Sequence, residues 1–179
     1  LQNIIKTGII FKKNFTTEYL VKSAMIAALY VVVTLAFQPI SYGQVQFRIS
    51  EVLVLFAFLN PMYVFGLTLG CAIANMFSPL GIVDVIFGTT ATFIALMFIV
   101  QMRKSFGFNT KALLIASLGP VIANGIIIGI ELNYLFQLPL LMSMIYVALG
   151  EVVVVSVVGV LLFKVLIANK RFIEMITIQ

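Results

Sequence analysis

The stretch 82–102 is an unbroken apolar run, and it stops abruptly at Arg103 and Lys104. Its length is close to the roughly 20 residues that carry a helix across a bilayer, and basic residues at one end are the usual mark of an aqueous boundary. Other segments of the chain repeat this pattern. Hydrophobic residues fill 63% of the 179 positions and charged residues only 9%, a balance that a water-exposed globular surface does not tolerate. Lipid is therefore the solvent for most of this chain. Helices satisfy every backbone polar group within one segment, whereas a lipid-facing barrel needs alternating apolar and polar residues, and positions such as 52–59 do not alternate. The expected fold is an all-α integral membrane bundle.

Polar and helix-breaking clusters divide the chain into six helices. The first runs over 22–37 and stops at Gln38 and Pro39; a shorter second covers 50–58 and turns at Asn60 and Pro61; the third covers 63–77. The fourth is 82–102, the fifth carries Pro120 inside it, and the last runs from about Pro139 to Ala168. No linker separates domains, so 22–168 reads as one bundle between a lead-in, 1–21, and a tail, 169–179. Residues up to Phe15 carry Lys6, Lys12 and Lys13 and lack the apolar core of a secretory signal, which marks the lead-in as cytoplasmic. Alternating the sides of the helices puts every basic residue except Arg48 on one face, and the positive-inside bias makes that face cytoplasmic, with both termini on it. The net charge of +5 is thus a topology signal that also favours anionic lipid headgroups, and nucleic acid is not an expected partner.

With this topology the polar side chains gather toward the outside. Arg48 and Glu51 fall at the outer end of the second helix, Asn75 near the outer end of the third, Asp84 at the outer start of the fourth, and Glu131 where the fifth emerges. Asn124 and Glu151 lie deeper. Ionisable groups inside a bundle are costly, so several converging on one half point to an outward-facing ligand pocket. Each has a plainer alternative. Glu151, beside Gly150, is either a ligand acceptor or a protonated acid bonded to a neighbouring helix. Asn124 and Glu131, seven apart and so on one helix face, are either a shared polar wall or an interhelical amide and a solvated acid. Asp84 suits capping as well as binding, and Asn75 is equally open. Arg48 and Glu51, three apart, suit an ion pair, while the loop before them, with Pro39, Tyr42, Gly43, Gln46 and Phe47, suits a mobile cover for a planar ligand.

Gly66, Gly70 and Ala74 form a small-residue stripe that reads as internal packing; Ala24 and Ala28 form another that is open to internal or intermolecular docking. Histidine is absent and Cys71 is the only cysteine, which excludes an internal disulfide, a zinc cluster and a Ser/His or Cys/His pair; no cofactor is expected. There is no phosphate-cradling Gly-rich loop and no acidic chain across the bundle to relay protons. A pocket without its own energy source suggests a binding subunit driven by another protein.

The segment from Pro39 to Glu51, PISYGQVQFRISE, with LGCAIANMFS at 69–78 and DVIFGT at 84–89, resembles the QueT family, the queuosine-precursor S components of energy-coupling-factor transporters. The likeness covers about 22–163 and is most specific over 46–51. It implies a six-helix S component that captures a 7-deazaguanine outside and delivers it by toppling in the membrane, docked on a transmembrane scaffold subunit and two ATPases. Such proteins dock their scaffold through small-residue stripes on the first helix, a motif that Ala24 and Ala28 match. By this resemblance Glu151 or Glu51 reads the guanine-like edge, Asn75 and Asn124 supply amide bonds, Tyr42 or Phe47 covers the ring, and a further carboxylate suits an aminomethyl cation. The competing expectations are an S component for another vitamin and an autonomous ion-coupled transporter. An intramembrane enzyme would have only Ser, Asp or Glu for its chemistry.

Overall fold

The computed structural model describes residues 17–42 and 47–176. The lead-in up to residue 16, with its three lysines, and the loop positions Gly43 and Gln46 lie outside the described residues. Helix α1 (Thr17–Ala36) buries Tyr19, Ser23, Ile26, Ala27, Tyr30 and Thr34, a three-and-four spacing that puts one stripe against the bundle. Pro39 then sits in the first turn of the short α2 (Gln38–Ser41), where a missing N–H costs nothing.

After the loop comes a seven-residue 3-10 segment, Ile49–Leu55, which runs into one turn of α-helix, α3 (Phe56–Leu59). Runs of 3-10 helix this long are uncommon because its hydrogen bonds are poorer. Here it lies at the centre of the molecule, touching α1, α4 (Tyr63–Asn75), α5 (Ile82–Phe106) and the last helix. The remaining chain forms α6 (Thr110–Ala116), α7 (Leu118–Phe136) and α8 (Leu140–Glu151). Beyond Glu151 the last helix loosens into a π-helical stretch, Val152–Gly159, before α9 (Val160–Ala168) and α10 (Lys170–Ile176). The local sequence VVVVSVVG is dominated by β-branched residues, which crowd an α-helix at χ1 and make the wider turn less costly. Gly159 closes this stretch where the 3-10 segment packs; a Cβ there would sit 3.2 Å from Leu55 Cδ1.

Packing follows the order α1 on α4, α4 on α5, α5 on α7 and α7 on α8, with the 3-10 and π segments against each other. Close approach at the first contact depends on Gly66 and Gly70: a Cβ on Gly70 would meet the Ala27 carbonyl oxygen at 2.8 Å, and one on Gly66 would collide with the Ser23 carbonyl. The Gly66, Gly70 and Ala74 stripe is thus an internal contact, while Ala24 and Ala28 face outward.

Among the described residues, four helical spans are long and apolar enough to cross a membrane: Thr17–Ala36, Ile82–Phe106, Thr110–Phe136 and Leu140–Ala168. Two further apolar segments, Ile49–Leu59 and Tyr63–Asn75, are shorter. At 1.5 Å per residue the 13-residue helix reaches only about 20 Å, against about 30 Å of hydrocarbon. The all-helical expectation holds, with revised boundaries. The first span begins at Thr17 instead of 22, the second is mainly 3-10, the third ends at Asn75, and the tail after 168 continues as α10. Large apolar side chains such as Met25, Val32, Phe65, Ile82, Leu141 and Val165 are exposed on the outer surface, while Arg48, Glu51, Asp84, Glu131 and Glu151 are buried. That inversion of the water-soluble pattern is what lipid as solvent demands.

Candidate functional site

The described connecting residues 37–42, 47–48, 76–81 and 137–139 define one end of the bundle, called here the upper end. Two tiers of polar side chains descend from it. The upper tier is built by Arg48, Tyr42, Asn75, Asp84 and Glu131. Arg48 precedes the 3-10 segment and reaches Asp84 at 3.6 Å, with its guanidinium carbon 5.5 Å from the centre of the Tyr42 ring. The Tyr42 hydroxyl donates to the Ala74 carbonyl at 2.6 Å, and burial pushes its phenol up to about 12, against the lowering effect of Arg48. Asn75 Nδ2 donates to the Asp84 carbonyl at 3.1 Å and approaches Cys71 Sγ at 3.4 Å. Gly88 makes this possible, since a Cβ there would collide with Asn75 Nδ2 and lie 2.9 Å from Asp84 Oδ1.

The lower tier centres on two carboxyl groups. Glu51 is fully buried and accepts from the Tyr30 hydroxyl and from Thr92 Oγ1 at 3.1 Å. Glu151 accepts from Asn124 Nδ2 at 2.6 Å, a bond between α7 and α8. The two acids lie within electrostatic range of each other. Thr34 and Ser50 join the same layer through hydroxyls 2.6 Å apart. Cys71, wholly buried, donates toward Thr92 at 3.3 Å and lies 4.0 Å from Arg48 Nη1, so it links the tiers. By helical rise Glu151 sits about 16 Å below the start of α8 and Asn124 about 18 Å below the end of α7.

The sequence-derived candidates are therefore largely brought together. Arg48, Glu51, Asn75, Asp84, Asn124, Glu131 and Glu151 are all buried, and Tyr42 closes over Arg48. Phe47 is exposed at 37% and Gln46 lies outside the described residues. The i,i+3 spacing of Arg48 and Glu51 serves a backbone turn, Glu51 N–H to Arg48 carbonyl at 2.9 Å, while the guanidinium turns to Asp84 across the bundle. Asp84, in the first turn of α5, makes this ion pair without a side-chain capping bond. The interhelical alternative for Asn124 and Glu151 is realised, but on one oxygen only. Glu51 Oε2, Glu151 Oε2, Asn75 Oδ1 and both oxygens of Glu131 are buried without a hydrogen-bond partner among the described residues. Buried polar groups are nearly always satisfied, so these acceptors are suited to donors brought by another molecule. Sequence reasoning missed Tyr30, Thr92, Thr34, Ser50 and Cys71. A Tyr at 30 with a Thr four residues on, inside an apolar helix, was the available signal.

A cleft of about 400 Å³ opens beside this cluster, lined by Leu35, Gln38, Pro39, Tyr42 and Pro79. Tyr42 is shared between cleft and cluster, with Arg48 over its ring.

An apolar exterior around a two-tiered, buried polar cluster defines a multi-pass membrane protein. Comparison with known proteins gives the particular family. The model of the QueT transporter family matches residues 20–168. The queuosine precursor transporter QueT of Lactococcus lactis subsp. cremoris (strain MG1363) is 35% identical over 148 residues, which cover 78% of this chain and 86% of that relative. No solved structure matches the chain. The chain belongs to the QueT transporter family, and it is a multi-pass cell-membrane protein with a transport role.

Proposed function

We propose that this protein is the substrate-capture subunit, the S component, of an energy-coupling-factor importer, and that its ligand is a queuosine precursor of the 7-deazaguanine class. The observation that carries the reading is the pair of buried acids, Glu51 and Glu151, each held by its own donors and each with one oxygen unpartnered. A guanine-like edge presents adjacent N–H donors, which a preorganised carboxylate accepts strongly. Asn75 and Asn124 supply adaptable amides, and Tyr42 supplies a ring at the upper end. The four long and two short apolar segments together make six passes, the short ones completed by their flanking turns. Among the described residues Lys22, Arg103, Lys104, Lys111, Lys164 and Arg171 belong to the opposite end from Arg48, which supports cytoplasmic termini and a site that opens outward.

Transport is driven from outside the chain. Ala28 of the outward stripe lines an apolar groove of about 580 Å³ between α1 and the C-terminal helix, together with Met25, Leu29, Phe56 and Phe172 among others. Small residues there let a scaffold helix approach closely. The scaffold and two ATPases would then topple the subunit and release its ligand inward.

Thermal unfolding of the purified protein tests the ligand assignment. Saturating 7-aminomethyl- or 7-cyano-7-deazaguanine is expected to raise the midpoint far more than riboflavin, thiamine, folate or guanine, since a ligand that binds only the folded state adds stability by mass action. Equal responses to all of them would refute the assignment.

A further inference from the structure

The groove between α1 and α10 faces lipid, and its length is that of one bilayer leaflet. Its α1 wall is a stripe that recurs at about one turn, from Lys22 through Met25, Ile26 and Leu29 to Val32. The ten residues from Lys22 to Val32 span about 15 Å, half of a hydrocarbon core of about 30 Å. Ile26, Phe56 and Tyr63 are buried at the base of the groove, while Met25 and Val32 are exposed on its rim. The Tyr63 hydroxyl donates to the Ile176 carbonyl at 2.5 Å, so its polar group is already used and its ring offers an apolar wall.

The two ends of the groove differ in charge. Lys22 stands at the basic end of the bundle, 2.6 Å from Glu18, and the exposed Arg171 belongs to the same end. Asn169 Oδ1 accepts from the N–H groups of Arg171 and Phe172 at 3.0 and 3.3 Å and so turns the chain into α10, whose Phe172 and Ile176 wall the groove. Glu18 offsets the charge of Lys22, and Arg171 leaves the mouth cationic. Toward the upper end, residues 23–42 carry no charge.

We infer that the groove holds one phospholipid of the leaflet at the basic end, with an acyl chain along α1 and the phosphate at the level of Lys22 and Arg171. Hydrocarbon gains nothing from the hydrophobic effect on moving from bulk lipid into such a groove. Selection comes from dispersion contacts with two walls at once and from attraction of the phosphate to the two cations. The site is independent of the solute taken by the polar tiers, and the lipid leaves when a scaffold helix docks over Ala28.

Native mass spectrometry of the purified, delipidated full chain, titrated with phosphatidylglycerol in detergent, tests this. The first lipid is expected to bind at least about tenfold more tightly than later ones. Ala28→Trp, which fills the groove, should weaken that first step about tenfold, and Lys22→Gln with Arg171→Gln should weaken it about fivefold for each cation removed. Leu141→Trp, on the exposed surface of α8 outside the groove lining, should leave it within about twofold. Glycerol 3-phosphate, the headgroup without its chains, should not compete. A first step no tighter than the rest, equal effects of Ala28→Trp and Leu141→Trp, or indifference to loss of both cations would overturn the lipid site. Competition by glycerol 3-phosphate would replace it with a simple phosphate site.

Discussion

Gly88→Ala probes the upper tier through a single methyl group. The new Cβ would collide with Asn75 Nδ2 and sit 2.9 Å from Asp84 Oδ1. The Asn75 side chain is the group able to retreat, and in doing so it gives up its bonds at 3.1 Å to the Asp84 carbonyl and 3.4 Å to Cys71 Sγ. Leaving that amide buried and unsatisfied costs about 1–3 kcal/mol, and residual overpacking adds about 1–3 kcal/mol. A total of at least about 2 kcal/mol corresponds to a fall of about 4 °C or more in unfolding midpoint by the usual scaling for a chain of this length. Thermal unfolding in mild detergent reads this directly. Combining Gly88→Ala with Asn75→Ala removes the colliding group, so the double variant should lose clearly less than the sum of the two single variants. Simple additivity, or a fall below about 1 °C in Gly88→Ala alone, would refute the proposed crowding of Gly88, Asn75 and Asp84.

Other consequences follow from the same geometry. Glu151→Gln keeps an acceptor for Asn124 but turns the second oxygen into a donor, so deazaguanine affinity measured by calorimetry should fall about tenfold or more with little change in unfolding midpoint. Replacing Ala24 and Ala28 with Leu fills the outward stripe and should abolish co-purification with the scaffold subunit while leaving ligand affinity intact, because both alanines are exposed on the side of α1 opposite the buried Tyr30 and Thr34. With its phenol raised to about 12, Tyr42 remains a neutral donor at ordinary pH, so its effect on stability is flat to about pH 9. Stability then falls between about pH 10 and 12, where the unfolded chain ionises and the folded phenol does not. Tyr42→Phe should make that limb shallower in pH-dependent unfolding.

The features legible in the sequence were those written locally. Apolar runs bounded by Arg103 and Lys104 or by Pro39 announced membrane helices, and scarce ionisable residues inside them announced a buried polar cluster. The seven-residue spacing put Asn124 and Glu131 on one face, and both are buried. What escaped was set by tertiary packing. The partner of Arg48 is Asp84, on another element, although Glu51 is nearer in sequence. Tyr30 and Thr92 come from α1 and α5 to hold Glu51, and nothing in either local segment ties it to the other. The 3-10 character of Ile49–Leu55 also follows from its central position, where surrounding helices tighten a segment that its apolar composition alone reads as an ordinary short helix. The π stretch could have been suspected from VVVVSVVG, but its consequence, Glu151 standing at the point where the helix widens, depends on the whole bundle.

A structure of the protein with its deazaguanine bound tests the central assignment most directly. The ring N–H donors are expected within about 3.2 Å of the free oxygen of Glu51 or Glu151, with Asn124 retaining its bond. Density for the ligand in the cleft beside Pro39 and Pro79, or in the groove along α1, with both acids untouched, would contradict it.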